Sequence, residues 1–170
     1  MPEAKDTNDP CPARIVSPNE TEYLTWLAGK LRIYPDFWED RMRVNPGVTF
    51  AWLFANSNSV VFDLDGGGVL SFVVDPLKYR AFLYGASWEK KAMRIPITRR
   101  MCATAAMASK DLLSIEGITK YNNKVARKAM EASGMTYRGR ILNSLWYNRV
   151  PVDGALYEFR RDQTDLEPLV

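Results

Sequence analysis

Apolar residues recur along this chain at two periods, and the changes from one period to the other fall at proline, glycine and asparagine. Residues 1–13 show neither period; they carry three prolines and several charges, which predicts an extended arm. Residues 14–17 are a short apolar run and a candidate first strand. Pro18 and Asn19, with Glu22 three residues on, make a capping-box pattern, and Leu24, Leu27 and Leu31 follow at helical spacing beside Tyr23 and Trp26. Pro35, Phe37, Trp38, Arg41 and Met42 suggest a second short helix, stopped at Asn45-Pro46-Gly47. Residues 49–55 fit two patterns, because Thr49 could cap a helix while Phe50, Trp52 and Phe54 alternate like a strand.

The middle and the end of the chain are more regular. Residues 60–64 and 69–74 are β-branched and apolar on either side of Asp65-Gly66-Gly67-Gly68, which reads as a hairpin turn; Asp75-Pro76 turns again into a third strand at 79–84. Residues 98–113 read as a helix with Thr98 as N-cap and Met101, Ala105, Ala108 and Leu112 as its apolar stripe. A short strand at 117–121 leads to a helix at 124–133 closed by Gly134, where positive φ is favoured. Residues 137–147 and 152–160 make a final hairpin, and an acidic, Pro-containing tail follows from 163 to 170. The prediction is one domain over residues 14–162 between an arm and a tail, α/β in class, with a mixed, mostly antiparallel seven-stranded sheet and four flanking helices.

Composition narrows the chemistry. At 170 residues and 46% hydrophobic content the chain is long and apolar enough for one substantial core. A net charge of +3 carries no specific nucleic-acid signal, and no apolar run approaches the roughly 20 residues of a membrane span. Cys11 and Cys102 make neither a disulfide framework nor a zinc site, so a reducing, cytoplasmic setting is the natural expectation. The chain has no histidine, which removes Ser-His-Asp and Cys-His catalysis and most transition-metal sites. Proton transfer is left to carboxylates, Tyr, Lys, Cys, backbone or water.

The stretch 123–160 is the most specific. It reads Asn123-Lys124-Val125-Ala126-Arg127, Glu131-Ala132-Ser133-Gly134-Met135, Gly139, and Val152-Asp153-Gly154-Ala155-Leu156-Tyr157-Glu158-Phe159-Arg160. This resembles the last helix and hairpin of the GNAT N-acetyltransferase superfamily, and the order of elements over roughly residues 60–160 resembles that family too. The resemblance implies acetyl-CoA in a V-shaped opening between the fourth and fifth strands. Its pantetheine would pair with Phe82, Leu83 and Tyr84, and its pyrophosphate would sit at the helix start near Thr98. The family's Gly-rich phosphate loop has no counterpart here, since residues 88–98 contain no glycine. Lys90, Lys91, Arg94, Arg99 and Arg100 could supply charge in its place, or form a solvated face or a contact for an acidic partner.

Asn123 matches the family asparagine that touches the pantetheine arm, and asparagine is equally a helix cap. The family's general-acid tyrosine falls at Met130, a thioether that cannot donate a proton; Tyr121 or a water would substitute. Glu116, Asp75 and Asp63 are candidate general bases, each also explicable as a turn or surface carboxylate. Trp26, Tyr34, Phe37 and Trp38 fall where the family binds its acceptor, and equally suit a core. Two functions follow from the resemblance. One is an acetyl-CoA-dependent N-acetyltransferase acting on an amine of a small molecule or protein. The other is a catalytically silent GNAT-fold assembly protein that binds protein partners through its N-terminal arm, similar to those of tailed-phage virions, with the virion as its location.

Overall fold

The computed structural model describes residues 13–33, 59–75, 77, 79–88 and 95–167. The second short helix expected near Phe37, the ambiguous stretch 49–55, Lys90, Lys91 and Arg94, and residues 1–12 of the arm lie outside them. Seven strands form one sheet: β1 (Arg14–Ile15), β2 (Val60–Asp63), β3 (Gly68–Asp75), β4 (Arg80–Ser87), β5 (Ser114–Lys120), β6 (Thr136–Tyr147) and β7 (Val150–Arg160). Their spatial order is β1-β2-β3-β4-β5-β7-β6, antiparallel throughout except for the parallel pair β4–β5. Three helices are seen among the described residues: α1 (Thr21–Ile33), α2 (Ile95–Lys110) and α3 (Lys124–Ala132). None of them is long and apolar enough to cross a membrane.

The β2–β3 hairpin forms where the Asp-Gly pair predicts it. Asp65 and Gly66 have φ of 50° and 71°, the Gly67 N–H donates to Leu64 O, and Asp63 Oδ1 accepts from Gly66 N at 3.1 Å. Two successive positive φ values match the twist of the strands they join. Both faces of the sheet's centre are covered, which is why β2 is buried at all four positions. On one face Leu27 of α1 packs with Val16, Val61, Val69 and Ala86; on the other, Cys102, Ala103, Ala106 and Met107 of α2 meet Phe62, Leu70, Phe72, Leu83 and Ile115.

Two expectations for α2 are corrected. It begins at Ile95, so Thr98 lies inside the helix and is buried rather than capping it. Pro96 falls in the first turn, where its missing N–H forfeits no helical hydrogen bond, so the helix can start ahead of the threonine. The buried stripe is Cys102, Ala103, Ala106 and Met107, while Met101 is 56% exposed and Ala105 and Ala108 also face outward. An alanine-rich helix presents small residues on every side. The partner strands, not the helix's own pattern, select which face is buried.

Both long-helix ends close in the same way. Asp111 (φ 51°) and Gly134 (φ 86°) take the left-handed position, and the next residue's N–H reaches five residues back, Leu112 to Met107 O and Met135 to Met130 O. The Arg161 guanidinium then donates to the carbonyls of Met107, in the last turn of α2, and of Leu112, just beyond it. It begins a short 3-10 turn, Arg161–Gln163, after which Leu166 packs against the core, so residues 163–167 of the segment read as a tail lie on the domain.

Two glycines test this packing. A Cβ at Gly134 would meet only ordinary contacts, the nearest Phe159 Cε2 at 3.6 Å, so Gly134→Val should cost about 1–3 kcal/mol through backbone strain alone. Chemical denaturation should show that loss, and Gly134→Asn should recover part of it because asparagine tolerates positive φ. A Cβ at Gly154 would press on Ile118 Cδ1 at 2.6 Å and on the Ser144 hydroxyl, so Gly154→Val should destabilise by about 1–3 kcal/mol through overpacking. Trimming the neighbour in the double variant Gly154→Val, Ile118→Ala should relieve part of that loss.

Candidate functional site

The parallel pair is short. β4 and β5 are in register from Arg80↔Ser114 to Leu83↔Gly117 and then separate. Beyond that point residues 84–87 of β4 remain paired with β3, and residues 118–120 of β5 remain paired with β7. Each strand is therefore held by its outer neighbour while its inner edge has no strand partner among the described residues. The result is a cleft with two lips that closes at Leu83 and Gly117. β4 leads from its lip to α2, and β5 leads from the other lip to α3.

Gly117 sits at the bottom of the cleft beneath α3. A Cβ there would lie 3.1 Å from Met130 Cε and 3.4 Å from Met135 Cε, so two thioethers already fill the space a side chain would need. The cross-strand partner of Gly117 is Tyr157, which is wholly buried. Its hydroxyl accepts from Arg127 Nε at 3.1 Å and donates to Glu131 Oε1 at 2.8 Å. Burial raises the Tyr157 pKa and the Arg127 hydrogen bond opposes it, leaving the phenol above its ordinary value. Nothing in the linear pattern of β7 marks this tyrosine apart from its neighbours; its role comes from standing opposite Gly117.

The sequence-predicted residues are distributed around the cleft. On β4, Leu83 is buried on the α2 side, while Phe82 and Tyr84 are half-buried on the α1 side, opposite Val73 and Ser71 of β3. Asn123 is the N-cap of α3, exposed, with Oδ1 accepting from Ala126 N at 3.0 Å. Tyr121 directly follows β5, and two guanidiniums lie over its ring, Arg127 at 4.7 Å and Arg140 at 4.5 Å. Arg140 is tied in turn to Asp153, Nε to Oδ2 at 2.7 Å. The backbone N–H of Asn143 and Arg140 together hold the Asp153 carboxyl below its ordinary range.

Arg99 and Arg100 both follow Thr98 in α2 and both point toward the end of α3. Arg99 is largely buried and donates to Ser133 Oγ at 3.2 Å, at the α3 C-terminus where the helix dipole favours a cation. Burial pushes its guanidinium down to about 10. Arg100 lies beside Gly134 and reaches Gln163 O at 3.5 Å.

The three candidate carboxylates do not converge. Glu116 and Asp75 both face Arg80, at 3.0 Å and 3.9 Å, whereas Asp63 closes the β2–β3 turn and pairs with Arg14 at 3.5 Å. Glu116 shares the Phe82 side of the sheet. Opposite it on β7 stands Glu158, paired with Arg138 at 3.0 Å, so two adjacent carboxylates are each met by an arginine from the neighbouring strand, two residues out of register. Of the four aromatic residues offered as an acceptor site, Trp26 stacks on Tyr23 at 5.4 Å and meets the edge of Trp88 at 5.8 Å; the other three lie outside the described residues. Among the described residues no group of His, Cys, Asp and Glu could hold a metal ion.

No family model and no curated protein matches the sequence. Solved structures do match. The ribosomal-protein-S5-alanine acetyltransferase of Vibrio fischeri aligns over 92% of this chain and 94% of its own, with 14% identity and a TM-score of 0.68. RimJ of Mycobacterium smegmatis, solved with CoA-disulfide, aligns over 91% and 83%, with 14% identity and a TM-score of 0.68. The microcin C7 self-immunity acetyltransferase MccE, solved with acetyl-CoA and AMP, aligns over 94% and 97%, with 15% identity and a TM-score of 0.67. The likeness spans nearly the whole chain, and the strand order, the single parallel pair and the cleft between β4 and β5 agree with it: this protein has the fold of the GNAT N-acetyltransferases.

Proposed function

We propose that the protein transfers an acetyl group from acetyl-CoA to an amine of a small molecule or protein. The observation that carries this reading is the cleft itself, two strands that part beyond Leu83 and Gly117, with the N-terminus of a sixteen-residue helix following one of them. The residues present fit the cofactor at three points. The inner edge of β4 beyond Leu83 offers backbone groups to an extended amide-bearing arm. The N-terminus of α2 offers the positive end of a helix dipole to a pyrophosphate. Gly85, exposed on the β4 lip, presents no side chain at its own position, and a Cβ there would collide with Leu70 Cδ2 at 2.8 Å. Arg99 and Arg100 serve the end of α3, so charge from their side chains is not needed for this fit.

Bound in the cleft, acetyl-CoA would supply a thioester carbonyl to the attacking amine. The chain's own tasks are to hold the cofactor in line, to accept a proton from the amine and to give one to the departing sulfur. Tyr121 is our candidate for the last task, because it follows the β5 lip directly and its ring is contacted by both Arg127 and Arg140. Glu116 is our candidate for the first proton, on the face of the sheet away from α2 and α3, where Arg80 holds its carboxylate. Met130 supports a second reading in which the fold persists without the chemistry, since a thioether covers the bottom of the cleft where the resemblance would place a phenol.

Acetyl-CoA at 100 times its dissociation constant should stabilise the protein by about 2.7 kcal/mol, and the melting temperature should rise accordingly. Tyr121→Phe should lower turnover on the order of 10²-fold or more, leaving the dissociation constant for acetyl-CoA within about twofold of the parent. Calorimetry and steady-state kinetics on a panel of amines separate the two readings. Binding without turnover on any amine supports the silent one, and neither binding nor a thermal shift at millimolar acetyl-CoA ends the first.

A further inference from the structure

We infer that Arg127 is a positioning residue that sets the β5 lip of the cleft. The inference rests on the cofactor reading above for its purpose, though not for its geometry. The lip ends in the turn of residues 120–124. Tyr121 N, at its start, donates to Asp153 O of β7 at 2.8 Å, and beyond that residue the turn is closed by short-range bonds: Asn123 N to Lys120 O, Lys124 N to Asn122 O, and Ala126 N to Asn123 Oδ1, each at 3.0 Å. A turn of this kind has no core of its own, and Asn122, Asn123 and Lys124 are all exposed.

Arg127 is one helical turn further on, and its side chain folds back over this turn. Nη1 donates to Tyr121 O at 3.2 Å, and the guanidinium plane covers the Tyr121 ring at 4.7 Å and the Tyr137 ring at 5.2 Å. Nε donates at 3.1 Å to Tyr157, the buried residue that stands opposite Gly117 in the last rung before the sheet parts. One side chain thus links the tip of the lip to its root. No carboxylate pairs directly with Arg127 among the described ion pairs and hydrogen bonds; Glu131 is reached only through the Tyr157 hydroxyl. A planar fork of donors is what these contacts require. Lysine would carry the same charge and could make only one of them well.

Arg140 provides an internal control. It also lies over the Tyr121 ring, 4.5 Å from its centre, but its side-chain hydrogen bonds go to the carboxylate of Asp153, whose backbone O accepts from Tyr121 N, and not to residues 122–126. Hydrogen exchange of the Asn123, Lys124 and Ala126 amides should therefore speed up by about tenfold or more in Arg127→Gln and in Arg127→Lys, and stay unchanged in Arg140→Gln; a tenfold change corresponds to ~1.4 kcal/mol of local opening. The dissociation constant for acetyl-CoA should rise in the two Arg127 variants beyond what their melting temperatures account for. Equal exchange in Arg127→Gln and parent overturns the inference, and so does full rescue by Arg127→Lys, which would reduce the effect to charge. Loosening of the turn in Arg140→Gln would assign it to ring stacking instead and overturn it as well. Should the parent not bind acetyl-CoA, the proposed function falls, while the exchange rates still decide the role of Arg127.

Discussion

Four rungs of parallel pairing between β4 and β5 govern the rest of this structure. They join an antiparallel half, β1 to β4, with its α1 cover, to a second antiparallel half, β5 with β7 and β6, carrying α3. Were the pairing longer, the two lips would close and the sheet would be continuous. Were it absent, the halves would be joined only through α2, which packs on strands of both. Each half supplies hydrogen bonds to its own outer edge, so the inner edges can part beyond Leu83 and Gly117 without unravelling either strand.

Arginine does much of the fastening around the cleft, and it does so largely without ion pairs. Arg99 caps the end of α3, Arg161 caps the end of α2, and Arg127 ties the β5–α3 turn to Tyr157. All three donate to neutral oxygens. A guanidinium suits this use because its charge is delocalised and weakly hydrated, so partial burial costs less than it would for an ammonium. The burial is still felt at Arg99, whose pKa is drawn down. Ion pairs do occur, at Arg140 with Asp153 beside Tyr121, and on the other face, where Arg80 and Arg138 flank two carboxylates that would otherwise stand directly opposite each other as like charges.

Methionine shapes the cleft in a different manner. Met130 and Met135 are the residues joined by the Schellman hydrogen bond that ends α3, and both lie over Gly117. Helix termination and closure of the cleft's bottom are therefore one feature. The left-handed Gly134 that ends the helix also turns the chain so that the second thioether reaches the same spot.

Local chemistry in the sequence determined what a few adjacent residues can decide among themselves. The Asp65-Gly66 turn, the Asn123 cap and the Gly134 stop were legible because each depends on side-chain and backbone preferences within a few residues, and the fold class followed from the resemblance over roughly residues 60–160. The tertiary structure decided what depends on partners far along the chain. It chose the buried face of α2, which alanines on every side leave open in the sequence. It placed Arg99 and Arg100 beside the end of α3, a contact that no local pattern in the sequence announces. It made Tyr157 the buried counterpart of Gly117, forty residues away in sequence, and it kept Glu116, Asp75 and Asp63 from converging. A hydrogen bond or an apolar contact acts only at contact distance, and those distances are set by strand register and helix packing, which no local pattern in this chain encodes.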